Sequence, residues 1–312
     1  MNMLPLIVLT LCAATVAAAL MLVHAAERLR LRRRAGRDAV LRTRYLQTVL
    51  HACVYGSGPM RFPLLGRPGT RTILAETLAG LGSVTCGLDA GPLRRAVAGC
   101  GLDRWLLRRA RRCGGYRRAR ALALLARLPL DAAVAEEVGR YLRSRNRCVR
   151  FQALCVQLAA DPSSALRRMG EYGHPFSAAE VAGVLALLRR GLLPIAYGPL
   201  LTSPKRNLRR VGLGIVRLFG IEEAEAQLLY LTGAEDAELG REALYALCSM
   251  RRSLGRREVA FRIARMTLPE RRSLLRYLAH EGYASGALLR LFDAGERPYY
   301  EALVQSYKRS LA

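Results

Sequence analysis

The sequence predicts an all-α protein in which one N-terminal transmembrane helix precedes an α-solenoid of stacked helical hairpins. Three observations support this prediction. An uncharged apolar run of 20 residues extends from Leu4 to Val23. From residue 71 onward, Leu and Ala recur three and four positions apart, which is the spacing of one helix face. A similar segment also returns about every thirty residues, which is typical of a repeat protein.

The opening run, LPLIVLTLCAATVAAALMLV, is long enough to cross a bilayer, because 20 helical residues span roughly 30 Å. Basic residues follow it closely: Arg28, Arg30, Arg32, Arg33, Arg34 and Arg37. A basic flank on this side holds the following chain in the cytoplasm. We therefore expect an anchor over residues 1–25 and a single-pass inner-membrane protein with a cytoplasmic C-terminal domain. A secretory signal cleaved after Ala25 remains the alternative.

Residues 26–70 are expected to form a basic juxtamembrane helix and a linker. The stretch RDAVLRTRYLQTVLHACV has helical spacing of its apolar residues. The next stretch, YGSGPMRFPLLGRPGT, contains four Gly and three Pro, which interrupt regular structure. The α-solenoid is then expected to occupy residues 71–312.

The positive charge of the chain is concentrated in its first half. The formal net charge is +26, and residues 26–150 hold 27 Arg against 8 acidic residues. This excess favours an anionic partner, either a lipid surface or a nucleic acid. Only two of the 50 basic residues are Lys, so the bias toward Arg also fits the composition of a GC-rich genome.

Six segments align with one another in the second part of the chain. They cover residues 117–126, 149–158, 178–187, 208–217, 239–248 and 269–278. The fifth position of each is small, which allows a neighbouring helix to approach closely. These residues are Ala121, Ala153, Ala182, Gly212, Ala243 and Ser273. A second helical stretch lies between successive copies, so one repeat is expected to be a helical hairpin of about thirty residues.

The pattern NRCVRFQAL, with the reduced form DAELGREAL, resembles the short HEAT-like repeats of the phycobilin-lyase type. The resemblance covers residues from about 115 to 295. It implies a superhelix with a continuous concave surface for partners, and it implies that Arg118, Arg150 and Arg209 brace neighbouring repeats. Similar one-pass proteins accompany bacterial membrane glycosyltransferases. The resemblance therefore also implies a supporting role in envelope polysaccharide synthesis or export.

No group of residues in the sequence has the spacing of a catalytic, cofactor or metal site. The chain contains no HExxH and no CxxC motif. GLGIVR lacks the third Gly of a dinucleotide fingerprint, and no strand precedes it. We expect neither an enzyme nor a bound cofactor, and no small-molecule substrate is evident. The eight cysteines show no disulfide framework, which fits a reducing compartment.

The expected function is that of a membrane-anchored scaffold or adaptor that binds a protein partner on the cytoplasmic side. The alternative is a HEAT-repeat protein that binds nucleic acid, either as a simple binder or in the manner of the HEAT-like DNA glycosylases. The alternative depends on RWLLRRARRCGGYRRARA, where Trp105 and Tyr116 lie among basic residues. The candidate contacts to an anionic surface are Arg104, Arg108, Arg109, Arg111, Arg112, Arg117 and Arg118.

Overall fold

The computed structural model describes residues 4–55, 60–66, 69–84, 91–189, 197–288 and 291–311, with backbone alone for residues 4–18. Every regular element in these ranges is a helix, so the all-α prediction is confirmed for the described chain. The chain divides into two units, residues 1–130 and residues 131–312. The boundary falls inside the solenoid expected over residues 71–312. The expected domain limits stay a prediction.

The described part of unit 1 contains five helices. They are α1 (Leu4–Tyr55), α2 (Thr70–Val84), α3 (Gly91–Gly99), α4 (Leu102–Arg112) and α5 (Gly115–Leu125). The end of α1 packs on α2 and α3, and α4 packs on α5. Tyr45 of α1 is fully buried, and its hydroxyl donates a hydrogen bond of 2.7 Å to the carbonyl of Pro63. Phe62 meets the Tyr45 ring edge-on, so part of the expected linker belongs to the core.

The structure contradicts the predicted transmembrane helix and single-pass inner-membrane location. No helix in the described part of the chain is long and apolar enough to cross a membrane. Most of the expected anchor, at residues 4–18, lies outside the described side chains. The helix itself continues from Leu4 to Tyr55 without a break at residue 25.

Unit 2 contains the remaining helices. They are α6 (Ala132–Val138), α7 (Arg147–Ala160), α8 (Ala165–Glu171), α9 (Ala178–Leu188), α10 (Gly198–Leu201), α11 (Arg206–Phe219), α12 (Glu225–Gly233), α13 (Ala237–Ser249), α14 (Arg257–Ala264), α15 (Leu268–His280), α16 (Ser285–Leu288) and α17 (Arg297–Leu311). Short 3₁₀ helices cover Gly139–Arg143, Pro162–Ser164, Glu222–Ala224 and Ala294–Glu296. Helix α7 contacts α9, and α11 contacts both α9 and α13.

Capping side chains explain where several of these helices begin. Asn146 accepts a hydrogen bond from the amide of Val149, and Asp236 accepts one from Leu239, so the first residue of each quoted repeat pattern is an N-cap. Ser177 and Thr267 form capping boxes at the starts of α9 and α15. Each cap satisfies backbone amides that have no partner within the helix.

The six aligned segments fall on six different helices, α5, α7, α9, α11, α13 and α15. The small residue is buried in four of them, at Ala121, Ala153, Gly212 and Ala243. A Cβ added at Gly212 would lie 3.0 Å from the Cβ of Leu200, so α10 approaches α11 closely at this point. The other two, Ala182 and Ser273, are exposed.

Candidate functional site

The predicted basic cluster lies on α4 and α5 of unit 1. Five of its arginines are exposed: Arg104, Arg108, Arg111, Arg112 and Arg117. On α4, Arg104, Arg108 and Arg111 follow one another at spacings of four and three residues, and Arg112 is adjacent to Arg111. All four therefore share one side of the helix. This arrangement presents a strip of positive charge to solvent.

The other two arginines of the cluster have structural contacts. Arg109 donates a hydrogen bond of 3.0 Å to the Thr72 hydroxyl, and its guanidinium lies 5.3 Å from the centre of the Trp105 ring. Arg118 donates from Nε to the carbonyl of Ala110 at 2.9 Å, which ties α5 to α4. The indole of Trp105 is thus partly covered, whereas the ring of Tyr116 is 77% exposed.

A second charged feature of unit 1 is centred on Glu76 of α2. This carboxylate binds Arg42 of α1 at 3.1 Å and Arg120 of α5 at 2.8 Å. The three side chains line both a basic cleft of about 1100 Å³ and a neighbouring, more apolar cleft of about 880 Å³. Both arginines are more than half exposed, so solvent screening limits what these ion pairs add to stability.

In unit 2, a groove of about 420 Å³ runs along α9, α11 and α13, and we name it the α11 groove. Its apolar lining residues are Ala178, Val181, Ala182, Leu185, Leu213, Gly214 and Leu218, and its polar ones are Arg210, Arg217, Glu242 and Tyr245. Gly214 is essential to this packing, because an added Cβ would lie 2.9 Å from side-chain atoms of Leu185 and Val181. Leu218 remains 40% exposed in the groove.

Two tyrosines and an arginine form one edge of the α11 groove and extend it toward α15. Arg217 donates a hydrogen bond of 3.1 Å to the hydroxyl of Tyr277 and lies 5.2 Å from the centre of its ring. The rings of Tyr245 and Tyr277 meet edge-on at 5.0 Å. Burial raises the pKa of Tyr277, so its hydroxyl stays neutral near pH 7. Tyr and Arg are the residues most enriched at binding hot spots.

The polar wall of the α11 groove is held by a buried ion pair. Arg210 is only 5% exposed and binds the carboxylates of Glu242 and Glu238. Burial alone would lower the pKa of Arg210, but its hydrogen bonds and ion pairs with Glu242 and Glu238 raise it above the usual value. Arg210 therefore remains charged and fixes α13 against α11.

Arginine–carboxylate pairs also connect elements about one repeat apart. Arg147 of α7 binds Glu180 of α9 at 2.6 Å, and Arg206 of α11 binds Glu238 of α13 at 2.6 Å. Arg241 of α13 continues the series by binding a carboxylate of α15. Each pair joins two helices that contain successive aligned segments.

The bracing roles that the resemblance implied for Arg118, Arg150 and Arg209 stay a prediction. Arg150 donates to the carbonyls of Ser144 and Arg145, at 2.7 and 3.0 Å, in the segment that precedes α7. The Nε of Arg209 is buried, and no described group accepts a hydrogen bond from it. The spacing of these ion pairs was visible in the sequence. Arg147 precedes Glu180 by 33 positions, and Arg206 precedes Glu238 by 32.

Among the described residues, no three His, Cys, Asp or Glu side chains are arranged to hold a metal ion. Cys155 and Cys248 are buried, and desolvation raises the pKa of each thiol to about 12. They are consequently unreactive core residues rather than nucleophiles. In comparisons with known proteins, no protein-family model matches the chain, and no curated protein shows significant sequence similarity to it.

Proposed function

We propose that unit 2 is an α-solenoid of short HEAT-like repeats. Contacts of α7 with α9, α9 with α11, and α11 with α13 support this, because a repeat in a solenoid packs mainly on its neighbours. The ion pairs of Arg147 and Arg206 support it too, since each crosses from one repeat to the next.

We further propose that the chain is an adaptor that binds a protein partner in the α11 groove, rather than an enzyme. The observation that carries this proposal is the groove itself, in which exposed apolar side chains lie beside Tyr245 and Arg217. An apolar groove with a few polar groups at its edge suits an amphipathic helix of a partner. Leu218 would contact the apolar side of that helix.

The α11 groove also indicates the chemistry of the partner segment. Arg217 is exposed and has no carboxylate within ion-pair distance among the described residues, so an acidic side chain of the partner would be its counterpart. The HEAT-like resemblance makes a component of a membrane glycosyltransferase or envelope polysaccharide system the partner to test first.

The test compares variants at one repeat position. Ala182→Phe should fill the α11 groove, because Ala182 is exposed and lines it. Ala260→Phe is the matched control, since Ala260 is exposed on α14 and does not line the groove. Partners would be captured from extracts of the source organism with wild type, Ala182→Phe and Ala260→Phe, and quantified by mass spectrometry.

We expect at least one protein to be enriched by wild type and by Ala260→Phe but not by Ala182→Phe. A crosslinker placed at Leu218 should then join that protein to the groove. Equal capture by all three chains, with matching thermal unfolding curves, would contradict the proposal. Loss of folding in Ala182→Phe would be visible in the same curves, and Arg217→Ala would then replace it.

The exposed arginines of α4 favour a second candidate function, the binding of nucleic acid. Five exposed guanidinium groups and the exposed ring of Tyr116 match the phosphates and bases of a single strand. Tyr116→Ala should weaken oligonucleotide binding by about 1–3 kcal/mol, and Trp105→Ala by less, because Arg109 covers the indole. Competition between oligonucleotide and vesicles of anionic lipid would show which anion the cluster prefers.

A further inference from the structure

A cleft separate from the α11 groove opens beside α7, and we name it the α7 cleft. Its volume is about 500 Å³. It lies between the segment Leu142–Arg145, helix α7, and the segment Arg167–His174 that includes the end of α8. All of these belong to unit 2. The volume is in the range of small-ligand sites, which are roughly 300–1,000 Å³.

The arginines of the α7 cleft outnumber its acidic residues. Five line it: Arg143, Arg145, Arg150, Arg167 and Arg168. Arg167 is paired with Glu171 at 3.1 Å, and Arg168 with Asp161 at 3.4 Å. In the described chain, no carboxylate lies within ion-pair distance of the other three. Positive charge at the cleft is thus only partly neutralised.

Backbone carbonyls hold the guanidinium of Arg150 in place, and they do not neutralise its charge. Its Nη1 donates to the carbonyls of Ser144 and Arg145, at 2.7 and 3.0 Å. Its Nε is buried, and no described atom accepts a hydrogen bond from it. The guanidinium is therefore fixed in orientation and retains both its charge and a free donor.

The hydroxyl of Tyr172 is a second unsatisfied polar group at the α7 cleft. It is buried, and no described atom meets full hydrogen-bond geometry with it, but the Arg150 guanidinium lies close enough to act against the burial-induced rise of its pKa. Its ring is fixed between His174, at 5.8 Å, and Phe176, at 5.3 Å. Burial raises the pKa of Tyr172, so the hydroxyl keeps its proton and can donate it to an acceptor. The hydroxyl and the Arg150 guanidinium therefore lie together at the cleft, where one anion can accept hydrogen bonds from both.

We propose that the α7 cleft binds the phosphate group of a small molecule. Arg150 and Tyr172 would donate to the phosphate oxygens, while Arg143 and Arg145 at the rim would supply further charge. A phosphate dianion fits better than a single carboxylate, because it offers three oxygens and more charge to several guanidinium groups. The volume that remains suits an organic group such as a sugar. This site is independent of the adaptor function and of the α11 groove.

The experiment measures binding to the purified full chain by isothermal titration calorimetry. Inorganic phosphate, glucose 6-phosphate and glucose are the probes. We expect phosphate and glucose 6-phosphate to bind and glucose not to bind. Tighter binding of glucose 6-phosphate would identify an organic phosphate as the ligand, whereas equal binding would identify the free anion. Absence of binding for both phosphates up to about 10 mM would overturn the proposal.

Variants then locate the site. Tyr172→Phe keeps the ring and removes only the hydroxyl, and Arg143→Gln removes a rim charge from an exposed side chain. Tyr172→Phe should weaken phosphate binding by about tenfold to a hundredfold, as expected for one lost charge-assisted hydrogen bond, and Arg143→Gln by about twofold to fivefold, as expected for one exposed charge. Arg276→Gln, an exposed arginine of α15 away from the cleft, is the matched control and should leave binding unchanged.

Equal weakening by Arg276→Gln and Arg143→Gln would show general attraction to a basic protein and would overturn the proposal. The same conclusion would follow if Arg108→Gln on α4 removed the binding, because the site would then lie in unit 1. Circular dichroism of each variant checks that it is folded. If Arg143→Gln fails that check, Tyr172→Phe and Arg145→Gln decide the outcome.

Discussion

Replacing Gly240 with Ala should destabilise unit 2, although the same change usually stabilises a helix. Gly in a helix interior is less favourable than Ala by about 0.5–1 kcal/mol. Gly240 lies inside α13, and the guanidinium of Arg262 from α14 packs directly against it. A Cβ added at Gly240 would lie 2.6 Å from both Cζ and Nη2 of Arg262. Real side chains do not approach so closely, so Arg262 must move.

The cost depends on how firmly Arg262 is held. It is only 3% exposed, its Nε donates to the carbonyl of Thr232 at 2.8 Å, and its Nη2 donates to the carbonyl of Ala234. Moving the guanidinium weakens charged hydrogen bonds that contribute about 1.5–3 kcal/mol each. After the helix-propensity gain is subtracted, we expect Gly240→Ala to lower the free energy of unfolding by about 1–3 kcal/mol.

Urea unfolding followed by circular dichroism at 222 nm measures this change. Gly233→Ala is the matched control, because its new Cβ would meet Glu258 at an ordinary contact distance of 3.7 Å. The control should shift stability by less than about 0.5 kcal/mol. Adding Gly240→Ala to an Arg262→Met chain should cost little, since the clashing guanidinium is gone. The reasoning is refuted if Gly240→Ala is as harmless as the control, or if its cost is the same in the Arg262→Met chain.

Three other measurements test the packing and the charges of unit 2. Ala153→Phe should lower stability by about 1–3 kcal/mol because Ala153 is fully buried, whereas Ala182→Phe at the equivalent, exposed position should change it by less than about 0.5 kcal/mol; equal melting temperatures would contradict this. Burial raises the pKa of Glu180, but hydrogen bonds from its partners lower it below the usual value. The carboxylate therefore stabilises the fold at pH 7, and this stabilisation is lost as pH falls through the lowered pKa. The free energies of unfolding of wild type and Glu180→Gln should differ at pH 7 and converge in acid. Native protein at pH 8 should be labelled by maleimide at the exposed Cys148 and not at Cys155, and peptide mass spectrometry would detect the reverse.

The helices of the repeats could be predicted because their signals are local. Asn146 and Asp236 begin the quoted patterns, and both prove to be N-caps whose side chains accept amide hydrogen bonds. Apolar spacing of three and four residues then defines the buried face of each helix. Such features depend on a few neighbouring residues, so a single sequence contains them in full.

The ion pairs between the aligned helices were not predicted, because they depend on the register of one helix against the next. Arg147 and Arg150 lie one turn apart at the start of α7, and the resemblance implied that Arg150 makes the contact to the neighbouring helices. The structure directs Arg147 to Glu180 of α9 and Arg150 to the carbonyls of Ser144 and Arg145, which precede α7. Three residues separate the two roles, and nothing in the local sequence distinguishes them.

The α7 cleft and the α11 groove were missed for a related reason. Tyr172 and Arg150 are 22 residues apart, and the polar atoms that they leave unsatisfied become visible only once burial is known. The predicted basic cluster, in contrast, was found from composition alone. Composition did not show that Arg109 covers Trp105 and that Arg118 bonds to Ala110.

A glycine that contacts a large side chain of a neighbouring helix explains why one of the aligned small residues, Ala182, is exposed. Gly183 of α9 faces Phe151 of α7, and an added Cβ would lie 2.8 Å from that ring. The close contact in this repeat therefore falls on Gly183, one residue after the aligned Ala182, and Ala182 is left exposed. In α11 both glycines make close contacts, the aligned Gly212 with Leu200 of α10 and Gly214 with Leu185 of α9. The packing of neighbouring helices therefore determines which small residue is buried in each helix, and in α9 this packing leaves Ala182 exposed in the α11 groove.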